Sequence, residues 1–272
     1  GIGLAMRGFR PIAEIQYLDY LMFALQTLSD DLATLSYRSV GKQLAPLIVR
    51  TRGHRLEGMW HAGSPMGMIL NSLKGMLVLT PRNMVQASGM YNTLMSCTDP
   101  ALIIEPLNAY RLKEKEPLNL GEFTVPLGKI EIINPGTDIT VVSYGSTLKL
   151  VEKTISELER NNINIELIDI QSLIPFDLNK DIVESIKKTN KLLIVDEDYP
   201  GGASSFILKV LIEDHNGFKY LDSKPITLTA KEHRTPYGSD GDYFSKPSID
   251  DIFEACYRIM HEYNPKKYPS NY

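Results

Sequence analysis

Short apolar runs rich in β-branched residues alternate along this chain with segments of helical period, and few folds accept that alternation. Such runs read as strands buried on both faces. Buried strands separated by amphipathic helices form a parallel sheet with helices packed over it. The first set of strands is expected at 11–17, 46–51, 76–79 and 101–105, with helices near 19–37, 65–73 and 83–96. The pattern restarts with strands at 138–143, 165–170, 192–196 and 226–229 and helices at 147–161, 181–188, 204–214 and 249–263. In the helix at 147–161, Leu148, Val151, Ile155 and Leu158 form one apolar stripe opposite Lys149, Glu152, Lys153 and Glu157, which is the pattern of a helix covering a sheet.

Between the two sets lies LNAYRLKEKEPLNLGEFTVPLG, where charge, proline and glycine replace helical period over a length uncommon for a loop inside a compact domain. We read it as a linker between two α/β domains, 1–120 and 121–272. A chain of 272 residues can bury two cores of that size. The opening GIGLAMRG reads as the end of a helix running into the strand PIAEIQY, so the first domain is expected to be truncated.

Charge and cysteine content exclude several classes. The 29 basic and 33 acidic residues leave a net charge of -4 with neither sign dominating a long stretch, which argues against nucleic acid as a partner. The two cysteines, Cys97 and Cys256, lie far apart and suit free thiols in a reducing, cytoplasmic compartment. No apolar run reaches the roughly 18 residues a bilayer requires, so no membrane association is expected.

The segment TRGHRLEGMWHAGSPMGM carries two histidines, two arginines and four glycines directly after a strand, where open α/β sheets place their ligands. An imidazole there can exchange protons near neutral pH, which makes His61 and, less so, His54 candidates for proton transfer. The plain alternative is a histidine bonded to a neighbouring backbone carbonyl. Ser64 and Pro65 are sufficiently explained as the N-cap and first residue of a helix. In EIQYLDYLMFA, Gln16, Asp19 and Tyr20 offer polar tips and an aromatic face at a strand end, although burial explains most tyrosines. Asp99, before a proline, suits local turn chemistry or a cation ligand. Gly201 and Gly202 enter a helix as anion-binding loops do, but three preceding acids argue against phosphate. No CxxC, HExxH, GxSxG, P-loop or complete GxGxxG motif is present.

Taken together, RPIAEIQYLDY, SYRSVGKQLAPLIVR, WHAGSPM, DPALIIEPLNAYR and FTVPLGK resemble, in order and spacing, the beta subunits of thiamine-diphosphate-dependent 2-oxo acid dehydrogenases. The resemblance continues through GTDITVVSYGS, IELIDIQSLIPFD, KLLIVDED and TPYGSDGDYFSKPSIDDI and so covers nearly the whole chain. It implies an α/β fold, with a truncated, transketolase-like pyrimidine-binding domain followed by a transketolase C-terminal-like domain. It also implies thiamine diphosphate with magnesium, held largely by an alpha subunit or the alpha half of a fused chain. Further implied partners are a second beta copy and a lipoyl acyltransferase. The implied reaction is oxidative decarboxylation of a branched-chain 2-oxoisovalerate-type acid or pyruvate, with acyl transfer to lipoyl.

By position, His61 matches the family's active-site histidine, and Gln16 and Tyr20 match residues beside the aminopyrimidine. A potassium site in some relatives matches carbonyls of Ala45, Leu47 and Ile48 with groups at Cys97 and Asp99. Ala62, Gly63 and Met66 depart from the family pattern, so altered substrate contacts are expected. The family's cofactor-activating glutamate would fall before Gly1, so the stretch by itself is expected to show no turnover. Two other readings stay open: a transketolase or deoxyxylulose phosphate synthase relative, and a non-catalytic module that binds the neighbouring subunit or the acyltransferase.

Overall fold

A computed structural model describes residues 1–53, 55, 60–238 and 240–270. Its strands are β1 (Ile12–Ile15), β2 (Ile48–Gly53), β3 (Leu77–Leu79), β4 (Ala101–Pro106), β5 (Glu131–Asn134), β6 (Ile139–Ser143), β7 (Ile165–Asp169), β8 (Ser172–Ile174), β9 (Leu192–Val195) and β10 (Ile226–Leu228). They form two five-stranded sheets, ordered β1-β2-β4-β3-β8 and β10-β9-β6-β7-β5. Pairing is parallel except at β8 and β5, which run antiparallel at one edge of each sheet. The α/β reading holds for both parts of the chain.

The helices are α1 (Ile2–Met6), α2 (Leu21–Gln26), α3 (Leu35–Arg38), α4 (Met66–Ser72), α5 (Met84–Ser96), α6 (Leu148–Arg160), α7 (Asp181–Thr189), α8 (Ala203–Lys209), α9 (Gly241–Ser245) and α10 (Ile249–Tyr263). The single helix expected at 19–37 is instead broken into a 3₁₀ turn, α2, a π turn over Thr27–Leu32 and α3. Hydroxyls explain the break: Ser29 donates to the Gln26 carbonyl at 3.2 Å and Thr34 donates back to the Asp30 carbonyl. Such back-bonding bends helices. A π turn over Val210–Asp214 likewise ends α8 earlier than the sequence pattern suggests.

Strand β8 belongs by sequence to the second set but completes the first sheet, pairing Val78 with Ile174 and Leu79 with Ser172. The sheets also share an apolar cluster. Leu70, Leu73, Met76 and Val78 from the first part meet Ile168, Ile170, Leu173, Ala203 and Ile207 from the second, all 1% exposed or less. The seam is tight where α4 meets α8, because a Cβ on Gly67 would lie 2.8 Å from the Gly202 Cα. The outer face of the second sheet is covered by α6 and α10, whose Leu148, Val151, Leu158, Ile252, Cys256 and Ile259 interlock. Both cysteines are free, and burial pushes the Cys256 thiol up to about 12. Among the described residues no helix is long and apolar enough to cross a membrane.

Candidate active site

Parallel strands deliver side chains to a common edge, and here β1, β2 and β4 end side by side. After β1 come Gln16, Tyr17, Asp19 and Tyr20; after β2 comes the loop with His61; after β4 comes Tyr110. The His61 ring stacks on Tyr17 with centroids 3.9 Å apart and an interplanar angle of 9°. Tyr20 meets the same imidazole edge-on at 5.3 Å. His61 holds a left-handed backbone conformation, φ 61°, a cost that persists only where the surroundings enforce it, as they do at many functional sites. Among the described residues no hydrogen bond occupies Nδ1 or Nε2, so the carbonyl-bonded alternative does not apply to His61.

Beneath this stack lies a charged network that holds it. The Arg52 guanidinium sits 4.9 Å from the Tyr17 ring centroid and 5.6 Å from that of Tyr110, and its Nε donates to the Gln16 carbonyl at 3.0 Å. Glu105, 1% exposed, accepts from Tyr91 at 2.7 Å and from Tyr110, and pairs with Arg50 at 3.3 Å. Arg50 in turn reaches Glu14 at 3.7 Å. Burial and the bond to Glu105 push the Tyr110 phenol up to about 12, and the same causes raise Tyr91 further. Both phenols therefore remain donors through the neutral range.

A second network ties the His61 loop to the other sheet. The Arg55 amide donates to Glu197 at 3.0 Å, its Nε lies 3.4 Å from the same carboxylate, and its guanidinium also reaches the Pro247 carbonyl. Asp198 Oδ2 accepts from Gly67 at 2.9 Å and Ala203 at 3.3 Å, so one carboxylate closes the first turns of α4 and α8. Asp196 accepts from Tyr144 at 2.6 Å and Ser204 at 2.8 Å, and burial raises its carboxyl to about 6.

The structure brings Gln16, Tyr20 and His61 to one edge, with Asp19 accepting from the Gly63 amide at 3.3 Å. Ser64 is not the helix cap expected of it. Pro65 takes that position without a side-chain bond, and Asp198 supplies the missing acceptor from the other part of the chain. His54 lies outside the described residues. Of the family departures, Met66 is fully buried in the core, and the absent Cβ of Gly63 leaves room for the Asp19 carboxylate.

The potassium candidates lie at the opposite, amino-terminal edge, where Ile48 pairs with Ala101. There the Ala45 carbonyl accepts from Leu47 at 2.7 Å, the Leu47 carbonyl accepts from Ala101 at 3.0 Å, and Asp99 is exposed. The Cys97 carbonyl accepts from the Arg10 guanidinium, which already brings a positive charge to this spot. No group of three or more His, Cys, Asp or Glu residues among those described could hold a metal.

Sequence reading missed Tyr17, Arg52, Glu105, Tyr110, Arg55 and Glu197. The position of Arg52 and Glu105 at strand ends was the available signal, but only the register that pairs them shows that they meet.

Fold and site together define a transketolase-type chain. Residues 1–113 match the transketolase pyrimidine-binding domain and residues 128–244 the transketolase C-terminal domain. The beta subunit of the pyruvate dehydrogenase E1 component of Staurastrum punctulatum is 32% identical over 238 residues, covering 87% of this chain and 71% of that protein. The corresponding subunit of Acholeplasma laidlawii is 29% identical, covering 92% and 76%. The 2-oxoisovalerate dehydrogenase subunit beta of Bacillus subtilis is 31% identical, covering 79% of this chain and 65% of that one. This chain belongs to the family of 2-oxo acid dehydrogenase E1 beta subunits. Its fold matches that of a split-gene transketolase described as an inactive beta4 tetramer, with TM-score 0.74 and 17% identity over 94% of this chain and 78% of the other.

Proposed function

We propose that the chain is the beta part of the decarboxylating component of a 2-oxo acid dehydrogenase complex. It would act on branched-chain acids of the 2-oxoisovalerate type or on pyruvate and pass the acyl group to a lipoyl arm. The observation that carries this reading is the His61 imidazole, stacked on Tyr17 and edge-on to Tyr20 at the carboxyl ends of a parallel sheet, with both ring nitrogens free of hydrogen bonds among the described residues.

The residues present fit one end of thiamine diphosphate. The exposed Gln16 amide and the Tyr20 ring, 39% exposed, offer a polar contact and an aromatic surface to an aminopyrimidine. The helix starts of α4 and α8, which would otherwise attract phosphate, are closed by Asp198 and Asp196. The diphosphate and its magnesium therefore belong to an alpha subunit or an alpha half. When bound, the cofactor supplies the electron sink for loss of carbon dioxide. Tyr17 and Tyr20 orient the imidazole, Arg52 holds Tyr17 and the Gln16 backbone, and His61 gives or takes a proton at a ring nitrogen beside the substrate or lipoyl sulfur.

Exposed Phe9, Met22, Phe23, Tyr37 and Val40 on the first region support contact with an alpha part and a second beta copy. A lipoyl acyltransferase completes the complex, and the free cysteines support a cytoplasmic setting.

The test is decarboxylation and lipoyl acylation by the full-length protein with its alpha part, thiamine diphosphate and magnesium, over a panel of 2-oxo acids. His61→Ala should lower lipoyl acylation on the order of 10²–10⁴-fold while melting stays near that of the wild type. Wild-type protein that decarboxylates no 2-oxo acid, or a His61→Ala variant with undiminished acylation, would overturn the reading.

A further inference from the structure

Three residues of the turn after β1 meet the His61 loop, and only two of them touch the imidazole. Tyr17 stacks on the ring at 3.9 Å and Tyr20 meets it edge-on at 5.3 Å. Asp19, between them in sequence, reaches the backbone instead: its Oδ2 accepts from the Gly63 amide at 3.3 Å. Its Oδ1 fills the space where a side chain at this position would begin, since a Cβ on Gly63 would lie 2.2 Å from it.

The turn is a firm base for this contact. The Tyr20 amide donates to the Tyr17 carbonyl at 2.9 Å. Leu18, 1% exposed, packs on the end of β2, where a Cβ on Gly53 would lie 2.6 Å from the Leu18 Cδ2. An acid at the start of a helical turn ordinarily answers that turn's own amides. Among the described residues Asp19 makes no hydrogen bond within its turn and crosses to a residue 44 positions on.

The backbone it holds is the strained one. His61 sits at φ 61°, a left-handed conformation uncommon for residues with a side chain. The two tyrosines resist tilting of the imidazole but put no restraint on the peptide units that follow it. Gly63 is the residue of that stretch with the greatest conformational freedom, so an untethered loop can let His61 relax and swing its ring off Tyr17.

We propose that Asp19 is a positioning residue for His61. Its carboxylate pins the Gly63 amide, holds the His61 backbone left-handed and so keeps the imidazole flat on Tyr17. The role is that of an acceptor at a fixed place and involves no proton transfer by Asp19. Gly63 belongs to the same device, because any side chain there displaces the carboxylate. The consequence for catalysis rests on the reading of His61 as the group that gives or takes a proton.

The test uses the full-length protein with its alpha part, this chain carrying histidine labelled with carbon-13 at Cε1. The His61 resonance is assigned by its loss in His61→Gln. Stacking on a tyrosine ring displaces that resonance upfield. The displacement should be lost in Asp19→Ala and restored in Asp19→Asn, whose carbonyl oxygen accepts from the same amide. In Asp19→Ala the kcat for lipoyl acylation should fall roughly 10²-fold, the cost of misplacing a catalytic group by about 1 Å, with KM for the 2-oxo acid unchanged. Asp19→Asn should recover most of that loss. Gly63→Ala should match Asp19→Ala in both readouts, and the double variant should be no worse than either, because the two changes break one contact. An unmoved His61 resonance or unchanged kcat in Asp19→Ala, a loss in Asp19→Asn as deep as in Asp19→Ala, or additive losses in the double variant would overturn the proposal. If Asp19→Ala does not fold, Gly63→Ala decides: an unmoved resonance there rejects the role. The resonance needs no turnover, so a protein that decarboxylates no 2-oxo acid sinks the functional reading while the positioning of His61 is still tested.

Discussion

Every residue of β6, β7 and β9 in the second sheet is buried, whereas β1, at the edge of the first, alternates between exposed and half-buried positions. The second region covers its outer face with α6 and α10 and meets the first through a shared core on the other. The first region leaves Phe23 91%, Tyr37 86% and Val40 86% exposed. The same alternation of strand and helix thus yields one sheet covered on both faces and another whose edge is open. The candidate site residues Gln16, Tyr20 and His61 collect on the open one.

The largest expected effect on stability comes from breaking the polar support of the open edge. Glu105→Ala leaves Arg50, Tyr91 and Tyr110 without their shared acceptor, and removing one member of a buried ionic network costs about 3–5 kcal/mol. Urea unfolding measures it. A loss below about 1 kcal/mol would mean that the network behaves as a surface feature and that the two regions differ less than described.

Next in size is a pH dependence at the seam. Burial raises the Asp196 carboxyl from 3.8 to about 6, so the folded state holds its proton where the unfolded state has lost it. Stability from this group is fully present below about pH 4 and is lost as pH rises through about 6, by about 3 kcal/mol. Comparing wild type with Asp196→Asn at pH 4.5 and 7 should show a flatter profile in the variant; parallel profiles would rule out this residue as the source.

A smaller effect tests the second region. Ser248 and Asp251 form a reciprocal capping box at the start of α10, so Ser248→Ala should lower stability by about 1 kcal/mol. Hydrogen exchange should place the loss in α10 and the second sheet, with the first sheet unaffected. The smallest expected change is Phe23→Ser, within about 0.5 kcal/mol of wild type for the unassociated chain. The same variant should weaken association in sedimentation experiments. Unchanged association together with marked destabilisation would show that Phe23 serves its own fold and would remove the contrast between the regions.

Much of the architecture was legible because strands buried on both faces leave continuous apolar runs and covering helices leave stripes. The helix at Ile249–Tyr263 appears where its pattern places it, and of the stripe on α6 Leu148, Val151 and Leu158 are buried while Ile155 is half-buried against the same cluster. Strands β5 and β8 escaped notice because three- and four-residue antiparallel edge strands exist only through their partners. The breaks after Gln26 and Lys209 were hidden because a π turn preserves the composition of a helix.

At the site, the position of His61 in a glycine-rich loop after a strand was visible in the residues, and Gln16 and Tyr20 followed from the family resemblance. The stack on Tyr17, the acceptor role of Glu105 and the cap that Asp198 lends to a helix more than 130 residues away were not visible. By itself, the amino-acid order determined the alternating elements, the strand-end loops and the family, because periodicity and motif spacing are local properties of the chain. Only the tertiary structure decided which strand ends lie side by side and which carboxylate answers which cation. Those outcomes depend on register and on close approach between residues distant in sequence, for which no local pattern carries a signal.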